Sequence, residues 1–330
     1  MSLTGPEVSV AAKVPAKLNL GLAIVGRRDD GFHDLCSVMQ TITLCDGLTL
    51  TATPGVASGP TVRLNGVTSI GNDVAIDDPG LGATDNLAVR AIAATLDSLA
   101  VGGTFGISIE KGIPAASGMG GGSANAAAAI LLTEQATGVS LTDDDRLRVA
   151  AALGSDVPFF LTGGTALVTG RGERIEPLPA IGQTSFVIVV PRLSAPIPRK
   201  TARLFGALTP DDFTDGADVR RQAARILDGD PIDLDLLGNG FNRALLGLAP
   251  ELVDIRRVMA DVCGQPVALS GAGPTHYVVE PDRARAKWDM AQLQAAFGDR
   301  AMVVRCEPWA GQPEIRAVGR PWNHPRTTGP

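Results

Sequence analysis

Between Thr104 and Glu110 apolar and polar residues alternate, with Phe105, Ile107 and Ile109 on one face, and this period of two predicts a strand. It runs into Ile113-Pro-Ala-Ala-Ser-Gly-Met-Gly-Gly-Gly-Ser-Ala-Asn125 and an Ala/Ile run to Ile130. Residues 126–132 are strong helix formers, and Ser123 and Asn125 are both plausible caps. Strand, glycine-rich loop and helix start make a cradle of backbone N–H groups at a positive dipole end, suited to a phosphate; a tight turn alone is the other reading. The spacing fits neither Gly-x-x-x-x-Gly-Lys-Ser/Thr nor Gly-x-Gly-x-x-Gly.

The same patterns predict strands over Val8 to Ala12 and Leu18 to Val25, with a turn at Gly26 to Gly31. Short antiparallel strands are expected between Gly47 and Leu64, and a loop over Ser69 to Gly82. Asn86 and its neighbours cap a helix over Leu87 to Leu99, and Thr142 caps another whose acidic first turn, Asp143 to Asp145, suits the macrodipole. Strands follow at 163–168, 174–177 and 185–190. Near Pro191 to Pro198 the character turns helical: Thr201 to Leu208, Val219 to Leu227 and Pro250 to Val262. Val267 to Leu269, a turn at Ser270 to Gly273, Thr275 to Val279, a helix over Asp282 to Ala295 and Ala301 to Cys306 give the order of an α+β half domain. The expected domains are 1–181 and 182–310, with 311–330 a mobile or peripheral tail.

Composition narrows the class. With 45% hydrophobic and 19% charged residues in 330, the chain reads as soluble and globular. A net charge of −6, without a basic stripe, argues against a nucleic-acid partner. Four scattered cysteines without a Cys-x-x-Cys pair read as buried thiols in a reducing compartment, not as a disulfide frame or metal site. Neither a signal-like start nor an apolar stretch near ~20 residues stands out, so the expectation is cytoplasmic, with no membrane.

Three short motifs carry candidate chemistry. Lys17 and Asn19 in Pro-Ala-Lys-Leu-Asn-Leu share a strand face opposite Leu18 and Leu20, either as a site or as a solvated edge. Gly31-Phe-His-Asp34 could stack on and hydrogen-bond a planar ring, or merely hold a half-buried His in a loop. Asp156, between a helix-ending glycine and an apolar run, is a turn cap or a site carboxylate.

Taken together, Pro15-Ala-Lys-x-Asn-Leu20, the loop from Pro114 and Leu269-Ser-Gly-Ala-Gly-Pro274 resemble the motifs of the GHMP kinase superfamily, in order and over most of the chain. With Gly26-Arg-Arg-Asp-Asp-Gly-Phe-His33 added, the resemblance is most specific to the 4-diphosphocytidyl-2-C-methyl-D-erythritol kinases. It implies a two-domain α+β fold: an N-terminal mixed strand/helix ATP-binding domain, a C-terminal ferredoxin-like half domain, and an active site in the cleft between them. It implies ATP-dependent phosphorylation of the substrate's 2-hydroxyl, with Lys17 and Asp156 catalytic and Mg2+ on the phosphates near Ser123. ATP is expected on Pro114, Ala115, Ala116, Ser117, Gly118, Met119, Gly120, Gly121, Gly122, Ser123, Ala124 and Asn125. The substrate is expected on Asn19, Phe32, His33, Asn239, Ser270, Gly271, Ala272 and Gly273, with Phe205 as the second face of a cytosine sandwich.

Departures from the family are Phe32 for a common Tyr, and Met119 and Ala124 within the loop. None removes a main-chain donor. His276 reads as structural, and His324 matches no motif. Two other functions stay open: a GHMP kinase for another small alcohol, such as homoserine or a mevalonate derivative, and a non-catalytic ligand- or RNA-binding module.

Overall fold

The structure, a computed structural model, describes residues 7–53, 59–70, 85–195 and 197–318. β1 (Val8–Arg27) and β2 (His33–Thr53) form a long antiparallel ribbon. The two strands expected within Val8 to Val25 are one strand. Pro15, which has no N–H to give, is passed by a register irregularity between Pro15 and Ala16 instead of ending the ladder. The turn is correspondingly tighter than expected, closed by the Arg28 N–H donating to the Phe32 carbonyl at 2.8 Å.

One end of β2, Gly47–Thr53, pairs with β4 (Gly103–Lys111). The other end, Leu35–Gln40, pairs with β5 (Thr165–Gly170), which pairs with β6 (Arg174–Leu178). β3 (Pro60–Ser69) lies parallel to β4, not antiparallel as expected, because the chain returns through helix α1 (Leu87–Leu99) and so makes a crossover. The expected loop beyond Ser69 falls largely on 71–84, outside the described residues. β11 (Glu314–Ala317), from the segment expected as a tail, adds an antiparallel strand to β1; 319–330 lie outside the described residues.

A second, antiparallel sheet has the order β10 (Ala301–Cys306), β7 (Ser185–Pro191), β9 (His276–Glu280), β8 (Ala268–Leu269). β7 is buried throughout: Phe186, Ile188 and Val190 enter one core, and Val187 and Val189 another. The first of these cores joins the two sheets, taking Ala16, Leu18 and Leu20 from β1. On the far side of the first sheet pack α1, α2 (Gly121–Thr137), α3 (Asp143–Leu153) and α4 (Val157–Thr162). On the far side of the second pack α5 (Lys200–Gly206), α7 (Asn242–Leu248), α8 (Leu252–Cys263) and α9 (Arg283–Phe297). α6 (Ala217–Leu227) closes the core between the sheets.

Candidate active site

Lys17 and Asn19 lie in a short regular stretch of β1 between two register irregularities. The even residues Ala16, Leu18 and Leu20 are spent on the core between the sheets, so the odd pair faces the other way. Lys17 is only 3% exposed; its Nζ donates to Asn19 Oδ1 at 2.6 Å and stands 3.7 Å from Asp156 Oδ2. Burial pulls the Lys17 pKa below that of an ordinary lysine, and the Asp156 carboxylate opposes the shift.

Asp156 precedes α4 but makes no capping hydrogen bond. Of its two readings, the cap is therefore not what the structure holds; the carboxylate is 30% exposed and faces the ammonium. Asn19 is committed to the chain: Oδ1 also accepts the Gly271 N–H at 2.8 Å, Nδ2 donates to Ser37 Oγ at 2.8 Å, and its carbonyl accepts the Tyr277 hydroxyl at 2.6 Å. With both lone pairs of Oδ1 taken, Asn19 fixes Lys17 in place.

The glycine loop is pinned on both sides by main-chain bonds. Lys17 N–H donates to the Met119 carbonyl at 3.0 Å, and Thr275 N–H to that of Ser117 at 3.2 Å. Gly118 has φ +88, and a Cβ there would stand 2.3 Å from the Ser270 carbonyl oxygen. At Gly120, φ +74, a Cβ would stand 2.8 Å from the Phe160 ring and 3.2 Å from the Lys17 stem. It is also the N-cap of α2, with no side chain capping the helix. Ser123 and Asn125 are thus inside the helix and not its caps. The helix start is presented bare, as an anion site requires.

Within the loop sequence, Met119 and Ala124 are fully buried, so at those two positions only main chain can face a ligand. Asn125 donates to Asp46 at 2.9 Å, and Asp46 also accepts the N–H groups of Gly112 and Ile113 and the Lys111 ammonium. These bonds fasten the loop's entry to β2. Asn239 likewise serves the chain, donating to the Leu269 and Gly271 carbonyls and accepting the Phe241 N–H, so it braces the Ser270 to Gly273 turn.

Phe32 is 48% exposed with the Arg171 guanidinium 3.5 Å from its ring centroid. His33 stacks on Phe205 at 4.7 Å and 23°, and Phe205 meets Phe241 edge-on. Phe32 and Phe205 thus each have a partner from the chain, and the His33–Phe205 spacing leaves no room for a third ring between them. Burial and Arg27 hold the imidazole pKa below its usual value.

Residues 86–164, from the α1 cap through the glycine loop and Asp156, match the family pattern described as GHMP kinases N terminal domain. A 4-diphosphocytidyl-2-C-methyl-D-erythritol kinase from Nocardioides sp. is 37% identical over 300 residues, covering 91% of this chain and 97% of that protein. The chain belongs to the 4-diphosphocytidyl-2-C-methyl-D-erythritol kinase family. A kinase of the same name from Dehalococcoides mccartyi is 34% identical over 273 residues, 83% of this chain and 90% of the other. The solved structure of a 4-(cytidine 5'-diphospho)-2C-methyl-D-erythritol kinase superposes with a TM-score of 0.70 at 28% identity, covering 90% of this chain and 99% of that one. Homoserine kinase from Cytophaga hutchinsonii, 17% identical, has the same TM-score over 96% of this chain and 99% of its own, and is similar in fold alone.

Several residues around this candidate site carry no sequence signal. Ser37 and Tyr277 lie inside apolar strands and hold Asn19 from two sides. Phe160 reads as core, and Arg171 as a turn residue. Among the described residues, no group of three or more His, Cys, Asp or Glu is placed to hold a metal, and no helix is long and apolar enough to cross a membrane.

Proposed function

We propose that the protein transfers the γ-phosphoryl group of ATP to the 2-hydroxyl of 4-diphosphocytidyl-2-C-methyl-D-erythritol, giving the 2-phosphate and ADP in non-mevalonate isoprenoid precursor synthesis. The observation that carries this reading is the buried Lys17–Asp156 pair beside an uncapped helix start, in a chain of this family. Asp156 takes the hydroxyl proton as the oxygen attacks the γ-phosphorus, and the bond to the β–γ bridging oxygen breaks to release ADP. Lys17, 3.7 Å from the Asp156 carboxylate, offsets charge on the moving group. The bare N–H groups at the start of α2 hold the ATP phosphates.

A magnesium ion bound with the nucleotide would neutralise charge on those phosphates. The donors fit an ion held mainly by the nucleotide: the Ser123 hydroxyl lies in the first turn of α2, and Asp156 is the carboxylate of the site. Cytosine stacks on Phe32, with His33 hydrogen-bonding its edge; a base that also uses Phe205 takes the place the imidazole now holds. The partners are ATP and this small molecule, not nucleic acid or membrane. The four free cysteines, three with thiols pushed up to about 12 by burial, suit a reducing cytoplasm.

ADP release measured with ATP and the cytidine substrate tests the reading. Turnover should require both Lys17 and Asp156. Faster turnover with homoserine or mevalonate would move the chain to another small-alcohol kinase. Binding without any phosphoryl transfer would make it a non-catalytic module.

A further inference from the structure

We propose that Lys200, at the start of α5, is a second phosphate-positioning cation of this site, placed at the seam between the glycine loop and the Ser270 to Gly273 turn; the inference rests on the kinase reading above. Its Nζ donates to the carbonyls of Ala116 and Gly273, one from each wall of the seam. An ammonium has three N–H donors, so two are engaged and one remains for an incoming oxygen. Among the described residues no carboxylate pairs with Lys200, whereas Lys17 has Asp156.

Two neutral carbonyls leave a half-buried positive charge without its counterion, and a phosphate oxygen supplies one. The backbone is distorted at both ends of the contact. Ala116, the acceptor, has φ 52 and Arg199, just before the donor, φ 49, left-handed values that a residue with a Cβ rarely adopts. Such distortions collect where geometry serves a ligand.

Burial lowers the Lys200 pKa to about 8. The glycine loop and the 270–273 turn that pack on it contain no titratable side chain. Arg199 and Arg203 are its charged neighbours on α5, and the Lys17–Asp156 pair lies along the same turn, with Lys17 against Gly271. A phosphate arriving at Lys200 raises its pKa, so the protein should take up protons as nucleotide binds near pH 8.

Calorimetric titration of the full chain with a non-hydrolysable ATP analogue, in buffers of different ionisation enthalpy at pH 8, reads both effects. Native protein should take up a fraction of a proton. Lys200→Met should lose that uptake and weaken the analogue roughly ten-fold or more, the scale of one charge-assisted bond, while leaving adenosine binding unchanged, and Lys200→Arg should restore affinity. Equal affinity in native and Met proteins, or equal losses for adenosine and the analogue, would overturn the role. Should Lys200→Met not fold, absence of uptake by native protein, or an Arg variant that keeps the native uptake, overturns it instead. If native protein binds no nucleotide at all, the kinase reading itself fails.

Discussion

Lys17 is held by Asn19 and Asp156 at a place where water barely reaches, and its role follows from that placement. Asp156→Asn removes the carboxylate proposed to accept the proton, and Lys17→Met the ammonium that stands 3.7 Å from it. Each should lower kcat by about 10²–10⁴ with the circular dichroism spectrum unchanged; near-native turnover in either would remove the pair from the chemistry. His276 gives a separate prediction. It is fully buried, with Nδ1 on the Pro274 carbonyl, and burial lowers its pKa to about 4. The unfolded chain takes up this proton near the usual 6.5 and the native protein only near 4, so the stabilisation is complete above 6.5 and is lost as pH falls toward 4. The total is on the order of 3 kcal/mol. Urea titrations from pH 7 to 4 should show this fall, and His276→Gln should flatten it. At this scale the proximity of Lys17, Asp156 and the loop glycines was legible because the motifs that carry them are short and local. The task of Asn239 was not, because nothing in its neighbourhood says that its amide turns to two carbonyls about 30 residues further on.

The glycine loop works as an element because two of its glycines are in contact with other elements. Gly118→Ala drives a methyl into the Ser270 carbonyl and parts the loop from the second-sheet turn. ATP-analogue affinity should fall roughly ten-fold or more, as for a lost charge-assisted bond, measured by titration. Gly138→Ala, in open space at the far end of α2, should leave affinity unchanged; equal effects would mean that the loop does not need its close approach. Helices with side-chain caps were legible: Asn86 bonds the Ala88 N–H, Thr142 that of Asp145, and Asp282 those of Ala284 and Arg285. α2 misled at its start, since Ser123 and Asn125 look like caps while the helix begins earlier, at Gly121. β3 and β11 escaped because pairing direction and partner depend on chain far away. α7 is too short for a period to show.

In the whole molecule, one face of β1 joins the two sheets and the other carries Lys17, so the glycine loop, the Lys17–Asp156 pair and the Phe32–His33 turn are fixed to one ribbon. α5 reaches this assembly twice, with Lys200 on the seam and Phe205 against His33. Replacing Phe32 with Ala should raise the KM for the cytidine substrate roughly ten-fold or more, as loss of base stacking implies, with the KM for ATP unchanged. Parallel rises in both constants would show that Phe32 supports the fold and not the base. The substrate is the central claim and has a direct measurement: ADP formation by the native protein with ATP and, in turn, 4-diphosphocytidyl-2-C-methyl-D-erythritol, homoserine and mevalonate. The account predicts kcat/KM for the cytidine substrate at least about 10²-fold above either small alcohol, as expected when the alcohols lack the stacked and hydrogen-bonded base. Comparable or higher values for an alcohol without the cytidine would contradict it.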